Sequence, residues 1–157
     1  MRILGIDPSY VCTGFAIIED RELLYSTSIT FKKYKTKKEK RKVLRQMVKR
    51  IENRFLPDKI VVERTRLHSR GFISMRTIIA LGSLISAIID ASNCNIYSVD
   101  SRSFKSKVIG SANCSKKDTV NWAKLVYQVD VDEDQADAIA IGLYPFMLAP
   151  LLRKEND

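Results

Sequence analysis

The sequence predicts an α/β protein built on a five-stranded mixed sheet with helices on both faces. Three observations predict it. "RILGID", "TGFAIIE" and "ELLYSTSITF" are strand-like segments separated by short turns, which read as an antiparallel meander. Segments of helical and strand character then alternate, the pattern of a sheet with crossover helices. Between them, "KIVVER" is a short β-branched run of the kind found in buried parallel strands.

In chain order, residues 2–7 and 13–19 are the first two strands, with Pro8 and Ser9 in the turn, and 22–31 is the third. A helix over 36–55 follows. Its Val43, Leu44, Met47, Val48, Ile51 and Phe55 recur at helical spacing opposite a basic face, and Pro57 ends it. After "KIVVER", residues 72–91 form a helix apolar on all sides, suited to a central core position or to a dimer interface. "NIYSVD" is the last strand. Helices over 101–108 and 116–127 flank the loop "GSANCS", and a final helix covers 133–148. With no repeat, low-complexity tract or linker, the 157 residues are expected to form one domain.

Composition narrows the chemistry. A net charge of +9 favours an anionic partner, nucleic acid or membrane surface. No apolar run reaches spanning length and the N-terminus lacks a signal-peptide pattern, so a soluble cytoplasmic protein without a membrane role is expected. Cys12, Cys94 and Cys114 form no CxxC pair and read as reduced and structural. With His68 as the sole histidine, a zinc site or a Ser-His-Asp triad has little to build on. The charge is also segregated: eleven Lys or Arg and one acid from Lys32 to Arg50, against five acids and no base from Asp130 to Asp137.

Four of the acids stand where buried elements end. Asp7 closes "ILGI" and Glu63 closes "IVV", and parallel neighbouring strands would bring both to one sheet edge. Asp134 and Asp137 are three apart and share a helix face. Either strand-end acid alone reads equally as a turn former. Asp132 with Gln135 fits a capping box, and Glu133 suits a helix start. Capping leaves Asp137 unexplained. Clustered buried carboxylates require cations, and hard divalent ions with oxygen ligands suit a phosphate substrate.

These stretches resemble a known family. "LGIDPSYVCTGFAII", "IVVER" and "DEDQADAIAIGLY" are similar, in order and spacing, to the three acidic motifs of RuvC-type Holliday junction resolvases of the RNase H-like superfamily. The resemblance spans nearly the whole chain, and its size and divergence suggest a phage-encoded member acting in the host cytoplasm. It implies a crossover junction endonuclease acting in DNA recombination or repair. Asp7, Glu63, Asp134 and Asp137 would be catalytic ligands of Mg²⁺ or Mn²⁺, two ions per site. It also implies a homodimer that cuts symmetric strands of a four-way junction or other branched DNA, with the 72–91 helix at its interface. "FKSKVIG" and "CSKKDTV" resemble segments bearing functional lysines, matching Lys105 and, best, Lys117, with Lys116 beside it.

Two departures touch specificity. Where bacterial members carry an aromatic three residues beyond the Glu, this chain has Arg66, and Phe72 would have to substitute. Arg64, Arg66, His68 and Arg70 lie close enough in sequence to Glu63 to meet phosphate, although His68 reads first as a loop residue. Ser9 stands where a glycine is common. Relaxed cleavage of several branched DNAs follows as an expectation. The alternatives are another RNase H-like nuclease acting on flaps or RNA–DNA hybrids, and a non-catalytic branched-DNA binder. The latter leaves the acids unexplained, because carboxylates repel phosphate. An actin-like or sugar-kinase-like ATPase would need a longer chain and a second phosphate loop.

Overall fold

The computed structural model describes residues 1–64 and 74–152, the last four as backbone only. Strands β1 (Arg2–Asp7), β2 (Cys12–Glu19), β3 (Glu22–Thr30), β4 (Lys59–Glu63) and β5 (Asn95–Val99) form one sheet in the order β3-β2-β1-β4-β5. The meander is antiparallel, while β1–β4 and β4–β5 are parallel, so the sheet is mixed as predicted. β1 is the central strand and carries "ILGI" into the interior.

The alternation of side chains along each strand divides the core in two. Leu4, Ile6, Phe15, Ile17, Ile60 and Val62 point to one face. There α1 (Lys37–Phe55) and α2 (Met75–Ala91) cover them with Leu44, Val48, Ile51, Leu84, Ala87 and Ile88. Ile3, Ala16, Ile18, Val61 and Val99 point to the other face, under α3 (Ser101–Phe104), α4 (Lys116–Tyr127) and α5 (Glu133–Leu152). By the same alternation Gly5, Asp7, Gly14 and Glu63 lie on the α5 side. Helix starts are chemically marked. Thr36 with Glu39 and Ser115 with Asp118 form reciprocal capping boxes, and Ser74 caps α2.

Three expectations change. α2 is an outer-layer helix rather than a central one: Ala80, Leu84, Ala87, Ile88 and Ala91 are buried, but Met75, Ile79 and Ile89 are more than half exposed. Its backbone runs closest to α1, and only one stripe of it faces the core, which leaves Met75, Ile79 and Ile89 outside. The predicted 101–108 helix is a single α turn followed by a π turn, Lys105–Ile109, closed by the Gly110 N–H on the Lys105 carbonyl at 3.1 Å. Gly110 at φ 95° ends it in the left-handed region. α5 continues to Leu152 instead of stopping at Leu148. Among the described residues, no helix is long and apolar enough to cross a membrane, and the three cysteines are free.

α5 sits on β1 and β2 with almost no side chain between backbones. A Cβ on Gly5 would lie 2.2 Å from the Ala138 carbonyl oxygen and 2.5 Å from the Gly142 nitrogen. One on Gly14 would lie 1.9 Å from the Asp134 carbonyl oxygen. Both obstacles are backbone, which cannot swing aside as a side chain would. Gly5→Ala is therefore expected to lower stability by about 3 kcal/mol, the upper range for overpacking a core. That is roughly 10 °C in melting temperature for a chain of this size, measurable by calorimetry. Gly82→Ala is the comparison, because its Cβ would meet nothing of its own chain within 4 Å, and as a monomer it should melt at or slightly above the parent monomer.

Candidate active site

Asp7 closes β1 opposite Gly14, and Ile6 pairs with Val62, so the next step along the parallel strands sets Asp7 beside Glu63. The close seat of α5 over Gly5 and Gly14 brings its first two turns onto these strand ends. Asp7 (7% exposed) and Asp137 (3%) are buried, Glu63 is half-buried, and the Asp134 side chain is 17% exposed. The expected parallel pairing that brings Asp7 and Glu63 to one sheet edge is present, and α5 carries Asp137 to them. The neighbouring acids cap α5 as predicted: the Asp132 carboxylate accepts from the Gln135 N–H at 2.8 Å, and Gln135 Oε1 accepts from the Asp132 N–H at 3.0 Å.

Two lysines enter the cluster. Lys116 Nζ donates to Asp134 Oδ1 at 3.1 Å and lies 3.9 Å from Glu133. Lys105 Nζ donates to the Cys114 carbonyl at 3.4 Å and stands 3.8 Å from Asp137 Oδ1. The π turn beginning at Lys105 directs it inward. Lys116, not the better motif match Lys117, is the residue that meets the acids. Lys117 is exposed and makes no ion pair with them among the described residues. The signal was in the helix period: Lys116, Thr119 and Ala123 follow the inward face of α4, and the latter two are fully buried. Arg64, just after Glu63, is exposed. Arg66, His68, Arg70 and Phe72 lie outside the described residues.

Electrostatics reflects this crowding. Burial, then the charges of Glu63 and Asp137, push the Asp7 carboxyl well above the ordinary range. Burial also raises Glu63 and Asp137, opposed in both by Lys105 and Lys116. The contact between Asp7 and Glu63 raises the first and lowers the second, so of the two Asp7 is pushed further upward. Burial disfavours the Lys116 ammonium, yet Asp134, Asp7 and Asp137 outweigh it and its pKa rises. Burial raises the Cys12 thiol, with help from the neighbouring Asp134, to about 11, so it stays protonated at neutral pH.

The donor set suits a hard divalent cation: carboxylate oxygens whose mutual repulsion is incompletely offset. Asp137 Oδ1 is the buried side-chain polar atom left without a hydrogen-bond partner among the described residues. Still, no group of three acids, histidines or cysteines among those residues is arranged as it stands to hold an ion. Asp134 is turned to Lys116. The residues fit in chemistry, and ligation by Asp134 requires that it part from Lys116.

A stability test follows from the raised Asp7 pKa. Between the ordinary carboxylate value, near 4, and the raised native value, the folded protein binds more protons than the unfolded one. Stability therefore falls as pH rises through that window. Asp7→Asn keeps the neutral form. In chelator it should melt higher than the parent at pH 7, with the gap closing toward pH 4, as followed by calorimetry across pH. A lower melting point at pH 7 would show that burial does not oppose the Asp7 charge.

Known proteins share this fold. The chain is 28% identical over 153 residues to the crossover junction endodeoxyribonuclease RuvC of Prochlorococcus marinus (strain MIT 9301), covering 91% of this chain and 94% of that protein. It is 26% identical to the Orientia tsutsugamushi (strain Boryong) RuvC over 146 residues, 89% of this chain and 91% of that one. Its fold superposes on Thermus thermophilus RuvC in complex with Holliday junction substrate with a TM-score of 0.80, at 18% identity and 96% coverage of both chains. The family model for crossover junction endodeoxyribonuclease RuvC matches residues 3–144, a span holding all four acids and both inward lysines, and the chain belongs to that family.

Proposed function

We propose that this protein is a structure-selective endonuclease that binds four-way and other branched DNA and hydrolyses symmetric strands at the crossover. The observation that carries the reading is the convergence of Asp7, Glu63 and Asp137 on one sheet face, with an unsatisfied Asp137 oxygen, in a chain of the RuvC family. Asp7, Glu63, Asp134 and Asp137 would hold Mg²⁺ or Mn²⁺, two ions in the full site. When bound, such ions activate a water for attack on the phosphodiester and stabilise the leaving oxygen. The chain's own part is positional. Lys105, tethered to the Cys114 carbonyl, presents a fixed, mostly buried ammonium beside Asp137. Lys116 is freer, about half exposed, and its cation passes from Asp134 to substrate phosphate when DNA arrives. Arg64 and Lys117, exposed at the same edge, add phosphate contacts, and Arg66, Arg70 and Phe72 are the residues to test for junction preference.

Paired cutting requires two sites, and we assign the dimer contact to α2. Met75, Ile79, Gly82, Ser86 and Ile89 follow alternating four- and three-residue steps, the seam of a helix pair. Three are apolar and more than half exposed. Gly82 has no close neighbour within the chain, and it costs helix stability unless another helix approaches there.

Asp7→Asn is expected to cut a labelled four-way junction at least about 10³-fold more slowly, the loss of several kcal/mol of charge stabilisation. Junction binding in a gel shift should persist. Full activity would remove Asp7 from the chemistry. RNA–DNA hybrid and flap substrates in the same assay distinguish a junction enzyme from a general nuclease. Ile79→Asp with Ile89→Asp is expected to give a folded monomer by light scattering that nicks one strand per junction. A dimer that still cuts in pairs would move the interface away from α2.

A further inference from the structure

The longest uncompensated run of positive charge lies on α1, and the acid cluster does not use it. Lys38, Arg41, Lys42, Arg45 and Lys49 line a shallow groove with Ser83 of α2. Their positions, separated by steps of three, one, three and four, form one stripe along the helix. Lys38, Lys42, Arg45 and Lys49 are exposed. Among the described residues, Arg41 alone of the five has an ion-pair partner, Asp90 at 3.5 Å. The helix's one nearby acid, Glu39, is committed to the capping box with Thr36. Lys38–Lys42, Arg41–Arg45 and Arg45–Lys49 are like-charge pairs one turn apart, each unfavourable by a few tenths of a kcal/mol. Among the described residues, only the Arg41–Asp90 ion pair offsets any of them.

The stripe also has a defined relation to the site. β1 and β4 run toward the Asp7–Glu63 edge, and β3 ends there too, since Thr30 pairs with Cys12. α1 starts at that edge and runs back from it. Tyr10, three residues beyond Asp7, stacks under Lys40 Nζ at 3.7 Å, and its carbonyl accepts from the same ammonium at 3.2 Å. Tyr10, Lys37 and Arg76 line a cleft at the edge, and Lys37 lines the α1 groove as well. Positive surface is thus continuous from the catalytic edge into the groove. From Lys38 to Lys49 the helix advances about 17 Å, the length of about five base pairs.

We propose that the α1 stripe is a track for one duplex arm of the substrate, gripping backbone phosphates away from the crossover. This rests on the junction-endonuclease reading and adds to it where an arm leaves the site. The geometry suits duplex phosphates: a straight row of exposed cations on a helix, without a stacking surface among the five. A track of this kind contributes affinity and arm direction without sequence preference.

The test compares the parent with Lys38→Gln/Arg41→Gln/Arg45→Gln/Lys49→Gln in chelator, on a four-way junction whose arms are two duplex turns long. Glutamine keeps helix propensity, and relief of repulsion should leave the variant's melting temperature at or above the parent's, which verifies folding. The parent should protect backbone sugars at the crossover and a separate block of about five nucleotides along an arm in hydroxyl-radical footprinting. The variant should keep the first and lose the second. Its plot of log Kd against log salt should flatten by about 3–4 per protomer, about 0.9 for each phosphate that the variant no longer neutralises. An arm block that survives, or an unchanged slope, would overturn the proposal. If the parent protects no crossover, the junction reading fails instead. The track is then decided on linear duplex, where the same flattening supports it and an equal slope refutes it.

Discussion

The contact on which the site depends is backbone against backbone. α5 lies so close to β1 and β2 that Gly5 and Gly14 cannot carry a side chain. Gly142 on the helix meets the Gly5 backbone in return. Any added atom would lift α5 and carry Asp134 and Asp137 away from Asp7 and Glu63. Two strands and one helix, distant in sequence, thus hold four carboxylates without help from a flexible loop. This rigidity suits a site that must hold charge in fixed positions. It also explains why small residues gather in "LGI", "TGFA" and "ADAIAIG", where larger apolar residues would bury more area.

That tight seat creates the electrostatic difficulty the rest of the site addresses. Burial raises the pKa values of Asp7, Glu63 and Asp137, and repulsion from neighbouring carboxylates adds to it. Lys105 and Lys116 compensate partially from the margin. The two lysines are not equivalent. Lys105 is 14% exposed and comes from a π turn, whereas Lys116 is 49% exposed at the start of α4. One is held within the framework, and the other reaches Asp134 from the surface.

Much of this was legible in the sequence. Strand ends are marked by an acid after a β-branched run, and helix starts by reciprocal caps, so Asp7, Glu63 and the α5 start were placed by local chemistry. What escaped was whatever depends on tertiary distance. The role of Gly5 and Gly14 emerges only when α5 is laid across them. The π turn at Lys105 has no local period to announce it, because it is set by what the lysine reaches. Lys117 was preferred on motif position, although the buried face of α4, read through Thr119 and Ala123, selects Lys116. α2 looked like a core helix because its apolar residues surround the axis, and composition alone does not reveal which of them a sheet will cover.

The segregation of charge follows from the same division of labour. A cluster of carboxylates repels the polyanion it is meant to cut, so approach must be driven from elsewhere. Positive charge cannot all sit among the acids, because there it would neutralise them. Two lysines stand at the margin, and much of the remaining excess lies on the opposite side of the sheet, on α1, whose start adjoins the acidic edge through Tyr10 and Lys37. The sheet then separates two electrostatic tasks. One layer holds negative charge close and dry, and the other spreads positive charge along a surface where salt and phosphate compete for it. A net charge of +9 is the sum of these opposed requirements, and neither layer alone would have the composition of the whole.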